Sequence, residues 1–232
     1  MTTQELFEKI IEHYENAKDV IKPYDKNGNV FRARKHSVSS IEDLFAHYLS
    51  DHFKKKFPSL PLCFMVNYPI RPDKKGSKLF PDIAIIIDDD NPTMVSYLDV
   101  KTDLGYKREY YQNLPAIRST VERLRQSKTT GTKNIKDLRV GISETITSRT
   151  VVISDTNMSK LKRDKNSQQS LLCPNVFKLY FLSGEGHPNS KEKKKIKFYD
   201  DEILLLLKDI ELDILNEVNK RNKNVVINLN HQ

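Results

Sequence analysis

Apolar residues recur at helical spacing early in the chain, at Leu6, Phe7, Ile10, Ile11 and Tyr14 behind Thr3, a candidate N-cap. This pattern predicts a helix of about five turns ending before Pro23. A polar connection over 24–37, with the turn signal Asn27-Gly28-Asn29, leads to Ser37 or Ser39 as the next cap. From there Ile41, Leu44, Phe45, Tyr48 and His52 form the stripe of a second helix that runs until Pro58. Beyond Pro61 the runs become short and β-rich: Leu62 to Tyr68, Leu79 to Ile87 and Met94 to Thr102 read as consecutive strands, separated by turn clusters at 69–78 and 88–92. Asn113 caps a third helix with Pro115 in its first turn and Ile117, Val121 and Leu124 facing inward. Leu138 to Ile142, Thr150 to Ser154 and Val176 to Leu182 are further strands, and Asp201 to Lys220 a closing helix with Ile203, Leu207, Ile210, Ile214 and Val218 on its stripe. With no repeat and no break in composition, the expectation is one α/β domain over residues 1–232. Its helical segment, about 1–57, packs on a mixed four- to five-stranded sheet flanked by helices.

Charge adds a partner class to this picture. Lys and Arg number 39 against 31 acidic residues, a net charge of +8, which favours a polyanionic partner. The longest apolar runs, Ile83–Ile87 and Ile203–Leu207, are far shorter than the roughly 20 residues that cross a bilayer. The amphipathic, charged N-terminus lacks the apolar core of a secretion signal, so a cytoplasmic, non-membrane protein is expected. Two cysteines, Cys63 and Cys173, offer neither a disulfide framework nor a four-cysteine zinc site and read as buried thiols. His36, His47 and His187 lack a partnered nucleophile motif, and no phosphate-binding glycine loop is present.

Three tripeptides have the form acid, any residue, lysine: Asp73-Lys74-Lys75, Asp99-Val100-Lys101 and Glu192-Lys193-Lys194. Only the second interrupts an apolar strand pattern. The two-residue period of a strand projects Asp99 and Lys101 from one face while Leu98 and Val100 anchor the other. A preceding strand beginning at Pro81-Asp82, folded back about a pivot between Asp90 and Asn91, sets Asp82 opposite Asp99 when no bulge intervenes. Two opposed carboxylates call for a cation. Asp82, Asp99 and the Val100 carbonyl supply hard oxygen donors, a set suited to Mg²⁺, with Mn²⁺ as a substitute. Lys101 is then placed to hold the attacking water or to stabilise the negative charge of phosphodiester hydrolysis.

Pro81-Asp82, sixteen intervening residues, Asp99-Val100-Lys101 and a preceding helix with Glu42 together resemble the PD-(D/E)xK nuclease superfamily, which includes many type II restriction endonucleases. The segment Ser40-Ile41-Glu42-Asp43-Leu44-Phe45 also looks like the first core helix of those enzymes, and the resemblance spans Glu42 to Lys101. It implies a restriction-endonuclease-like core, with Asp82 and Asp99 as metal ligands and Lys101 beside the water. An acid of the helix adds a ligand or a water-mediated contact; Glu42, near the edge of the buried stripe, is preferred over Asp43.

The expected activity is that of a metal-dependent DNA endonuclease of restriction or defence type, acting on double-stranded DNA, with a homodimer by analogy. A basic nucleic-acid-binding module with an inactive nuclease fold is the alternative from another class, and a structure-specific repair or transposon-associated nuclease the alternative within nucleases. Residues 157–170 and 184–197 are candidate DNA-reading loops, and lysine runs at 54–56, 74–78, 160–165 and 191–197 candidate phosphate contacts.

Overall fold

The computed structural model describes residues 1–19, 37–70, 79–102, 104, 109–126, 140–186 and 196–229. In these residues five helices flank a mixed sheet of six strands. The helices are α1 (Thr3–Asp19), α2 (Ser37–Lys56), α3 (Leu114–Gln126), α4 (Lys160–Leu172) and α5 (Asp200–Leu229). The sheet runs β1 (Leu62–Val66), β2 (Ile83–Ile87), β3 (Thr93–Lys101), β5 (Ser148–Val152), β6 (Phe177–Phe181), with the short β4 (Gly141–Ile142) also on β3. β1, β2 and β3 form an antiparallel meander, after which β5 and β6 add in parallel. β7 (Ser183–Gly184) and β8 (Lys197–Phe198) make a separate small pair.

Helix α1 begins one residue earlier in its capping than Thr3 suggests. The Thr2 hydroxyl accepts from the Glu5 N–H at 3.1 Å and the Glu5 carboxylate accepts from the Thr2 N–H at 2.7 Å, a reciprocal capping box. Its Leu6, Phe7, Ile10 and Tyr14 pack with Ile41, Leu44, Phe45, Tyr48 and Leu49 of α2 and with Ile203, Leu206, Ile210 and Ile214 of α5. This core covers the sheet face formed by Ile83, Ile85, Leu98, Val100 and Val151. Ala84, Ile86, Met94, Tyr97 and Leu124 cluster on the other face, where Val152, Phe177, Leu179 and Phe181 gather with Tyr110. α1, α2 and α5 therefore lie on one side of the sheet and α3 on the other. Asp82, Asp99 and Lys101 follow the parity of the second face.

Several sequence boundaries move. β2 starts at Ile83 rather than Leu79, which makes only an isolated bridge to Ile70. β5 starts two residues before Thr150, and α5 runs beyond Lys220. Part of the proposed reading loop at 157–170 is helix α4, capped by Ser159, whose hydroxyl accepts from the Lys162 N–H; its weak apolar periodicity conceals it. Most of the 184–197 loop, the run at 74–78 and most of the run at 191–197 lie outside the described residues, as do Asp73-Lys74-Lys75 and Glu192-Lys193-Lys194. Cys63 and Cys173 are partly exposed rather than buried.

Candidate functional site

The site is built at the end of the β2–β3 hairpin, and a bulge decides its register. Near the turn Ile87 pairs Thr93 and Ile86 pairs Met94, whereas past the bulge Ile85 pairs Ser96, Ala84 pairs Tyr97 and Ile83 pairs Leu98. The assumption of a bulge-free hairpin therefore fails at the turn. The extra residue in β3 brings the far end into the register that sets Asp82, one residue before β2, level with Asp99.

Asp82 is tied down by its own strand end. Its carbonyl accepts from the Asn67 N–H at 3.0 Å, and one carboxylate oxygen accepts from the Val100 N–H at 2.6 Å. On β3 the Lys101 carbonyl faces β5, where it accepts from the Ile153 N–H. By alternation the Val100 N–H and carbonyl both face the Asp82 side. Lys101 Nζ donates to Asp99 Oδ1 and lies 3.6 Å from Asp82 Oδ2. The second Asp99 oxygen accepts from the Tyr110 hydroxyl at 3.2 Å. Three charged groups thus meet on one open sheet face, with side-chain exposures of 39% for Lys101, 32% for Asp99 and 19% for Asp82.

The electrostatics are unbalanced, with two carboxylates for one ammonium. Burial first, then the hydrogen bond that protonated Asp82 donates to Asp99, push the Asp82 carboxyl up to about 6; Lys101 and the Val100 N–H only partly oppose this. Burial would lower the pKa of Lys101, but the Asp99 hydrogen bond and the charges of Asp99 and Asp82 outweigh it and hold it above the ordinary lysine value. Lys101 is therefore an ammonium at neutral pH, able to donate and to stabilise negative charge and unable to take a proton from water.

Glu42 is placed differently. It is buried in α2, on the opposite side of the sheet, and its carboxylate accepts from Asn67 Nδ2 at 2.5 Å, while Asp43 is exposed. Asn67 follows β1 with φ of 50°, a left-handed conformation that asparagine tolerates. It bridges Glu42 to the Asp82 backbone, so Glu42 joins the site through a linking amide and not by converging on the carboxylates. Among the described residues no group of three or more acidic, histidine or cysteine side chains is arranged to hold a metal ion. What fits a hard cation is the Asp82–Asp99 pair with the Val100 carbonyl. Two carboxyl groups beside a single ammonium leave a negative charge that a cation can balance.

Sequence reasoning missed Tyr110 and Thr150. Thr150 lies beside Asp99 on β5, and its hydroxyl is 3.1 Å from that of Tyr110, which enters from a 3₁₀ turn at Tyr110–Asn113. Neither stands in a motif: the parallel β3–β5 register sets Thr150 beside Asp99, and packing of the 3₁₀ turn on Phe177 brings Tyr110 there. Two hollows of about 440 and 550 Å³ are lined by other residues, one by Arg149 and Asp213, the other by His47 and Cys63. An exposed sheet face suits a large polymeric substrate better than a closed pocket. Among the described residues, no helix is long and apolar enough to cross a membrane. Comparison of the chain with family models, curated proteins and solved structures finds no match in any of the three.

Proposed function

We propose that the protein is a Mg²⁺-dependent endodeoxyribonuclease with a restriction-endonuclease-like core, acting on double-stranded DNA in restriction or defence. The observation that carries this reading is the meeting of Asp82, Asp99 and Lys101 on one open face, with both carboxylates beside the charged lysine. The antiparallel meander continued by parallel strands agrees with the mixed sheet of the PD-(D/E)xK superfamily. The net charge of +8 agrees with a polyanionic substrate.

Asp82, Asp99 and the Val100 carbonyl would hold the cation, with Mn²⁺ as a substitute. A divalent ion bound there supplies Lewis-acid polarisation of the scissile phosphate and acidification of a water. The chain's own residues do the rest. The Val100 N–H fixes one Asp82 oxygen and leaves the other to the site. Lys101, once its bond to Asp99 is exchanged for the substrate, donates to the attacking water or to the phosphate oxygen that gains charge as the water oxygen bonds phosphorus and the bridging oxygen leaves. Glu42, through Asn67, holds the strand end that carries Asp82. A homodimer would place two such sites on opposite strands of the duplex.

One observation favours the reading as an inactive nuclease fold that only binds nucleic acid, namely the engagement of Glu42 with Asn67 in place of a third acid at the site. Incubation with long duplex DNA and Mg²⁺, followed by sequencing of the ends, separates the readings. Discrete fragments with a common end support a site-specific endonuclease. Salt-sensitive binding in Ca²⁺ with no cleavage in Mg²⁺ or Mn²⁺ leaves the binding module, and cutting confined to branched or nicked substrates points to a structure-specific enzyme.

A further inference from the structure

The carboxylate pair is met from the side by a group that no acid-lysine motif includes. Tyr110 is 8% exposed, and its ring packs on Phe177 with centroids 5.7 Å apart. Its hydroxyl lies 3.2 Å from Asp99 Oδ2 and 3.1 Å from Thr150 Oγ1. A tyrosine hydroxyl carries one hydrogen, and a carboxylate oxygen facing it accepts. Thr150, fully buried, then donates to Tyr110, and Tyr110 donates to Asp99. The chain has a direction, from Thr150 through Tyr110 to Asp99.

The turn bearing Tyr110 is itself held. The Tyr111 N–H donates to Oδ1 of Asn166, a buried residue of α4, at 3.0 Å, and Asn113 Nδ2 donates to the Tyr110 carbonyl at 3.1 Å. Phenylalanine would fill the same niche against Phe177, and Thr150 alone would satisfy a buried hydroxyl. The bond to Asp99 exceeds what packing and polar satisfaction require. It engages one Asp99 oxygen and leaves Oδ1 turned to Lys101, where a cation would displace the lysine.

We infer that Tyr110, backed by Thr150, is a positioning residue that presents Asp99 to a divalent cation. This rests on the reading of Asp82 and Asp99 as metal ligands. Partners that orient a metal ligand typically contribute 10- to 100-fold to affinity; at this bond length about 5- to 10-fold is expected for Tyr110.

Mn²⁺ alone is the probe, its free concentration read by electron paramagnetic resonance against the full chain. Tyr110→Phe should weaken binding about 5- to 10-fold, and Thr150→Val about 2-fold. The double variant should bind like Tyr110→Phe, because Thr150 acts through Tyr110. Asp99→Asn should bind far more weakly than any of these. Wild-type affinity in Tyr110→Phe, with or without a lowered melting temperature, would overturn the inference, as would additive losses in the double variant. Thr150→Val, nearly isosteric, gives an independent reading of the chain should Tyr110→Phe fold poorly, and unchanged affinity there also counts against it. Failure of wild type to bind Mn²⁺, or of Asp99→Asn to weaken it, would overturn the metal-site reading and this inference with it. Loss in Asp99→Asn with none in Tyr110→Phe overturns the inference alone.

Discussion

Two charged clusters sit on opposite faces of one sheet, and they are built to opposite ends. On the α5 side, Arg149 is 1% exposed and its Nη1 lies 2.6 Å from Asp213 Oδ2, off hydrogen-bond geometry. It also donates to Ser96 Oγ at 2.9 Å and to the Asp209 carbonyl at 3.2 Å. Asp209 in turn accepts from Tyr180 at 2.7 Å and pairs with Lys178 at 2.6 Å. Two cations face two carboxylates, so charge balances. Burial raises the Asp213 carboxyl and is offset in part by Arg149, whose own pKa rises because the Asp213 and Asp209 charges outweigh its burial. The Asp82, Asp99 and Lys101 cluster lacks one cation and is half open. A balanced cluster built around a buried arginine fixes α5 against the sheet. An unbalanced, open one is left to be completed by something that binds.

This contrast breaks most visibly at Arg149. Arg149→Ala leaves Asp213 buried without its cation and should cost about 3–5 kcal/mol in urea unfolding. Replacing Arg149 and Asp213 together by Met and Leu should recover most of it. A loss under about 1 kcal/mol for the single variant would show that the network does not hold α5. The open cluster should behave the other way: Lys101→Ala should slow Mg²⁺-supported cleavage by about 10²-fold, on the scale of one electrostatic stabiliser, while Ca²⁺-supported DNA binding persists. Equal cleavage by wild type and variant would move the active site elsewhere.

The pH dependence sharpens the same contrast. Asp82 sits at about 6 in the folded chain against an ordinary carboxylate value of 3.8, so the folded state holds its proton more tightly than the unfolded state does. That contribution to stability is complete below about pH 4 and is lost as pH rises through about 6. Asp82→Asn, which keeps an acceptor for the Val100 N–H, should gain in melting temperature relative to wild type across this window. Mg²⁺ should restore wild type above pH 7 and leave the variant unchanged. A constant difference between the two from pH 4 to 8 would show that Asp82 does not hold its proton above the ordinary carboxylate range. The smallest effect belongs to the surface. Lys56 lies 2.6 Å from Glu211 but is 44% exposed, so Lys56→Ala should cost less than about 1 kcal/mol, and high salt should erase the difference.

Legibility in the sequence followed the range of the interactions. The stripe of Ile41, Leu44, Phe45 and Tyr48 marks α2 because its side chains repeat at the period of the helix they bury. α4 has almost no such stripe: Asn166 and Ser170 face inward and Leu161, Leu171 and Leu172 face out, so its sequence reads as a polar loop. Asp99 and Lys101 share a face through strand alternation alone, which is local. Their relation to Asp82 runs through a hairpin, and the bulge beside Ile85 could not be read from residue types, since every position near it is apolar or small.

The residues therefore determine by themselves which groups are charged and which strand face each occupies. Periodicity is a property of consecutive residues, and a two-residue alternation needs no partner strand. The tertiary structure alone decided how many groups meet at the site. It turned Glu42 to Asn67 by packing α2 on the far side of the sheet. It brought Thr150 to Asp99 through the parallel β3–β5 register and Tyr110 by packing its turn on Phe177, and it left Asp82 short of a cation by exposing one cluster while balancing the other. Such contacts join positions tens of residues apart, and their energies depend on burial, which only the packed sheet and helices create.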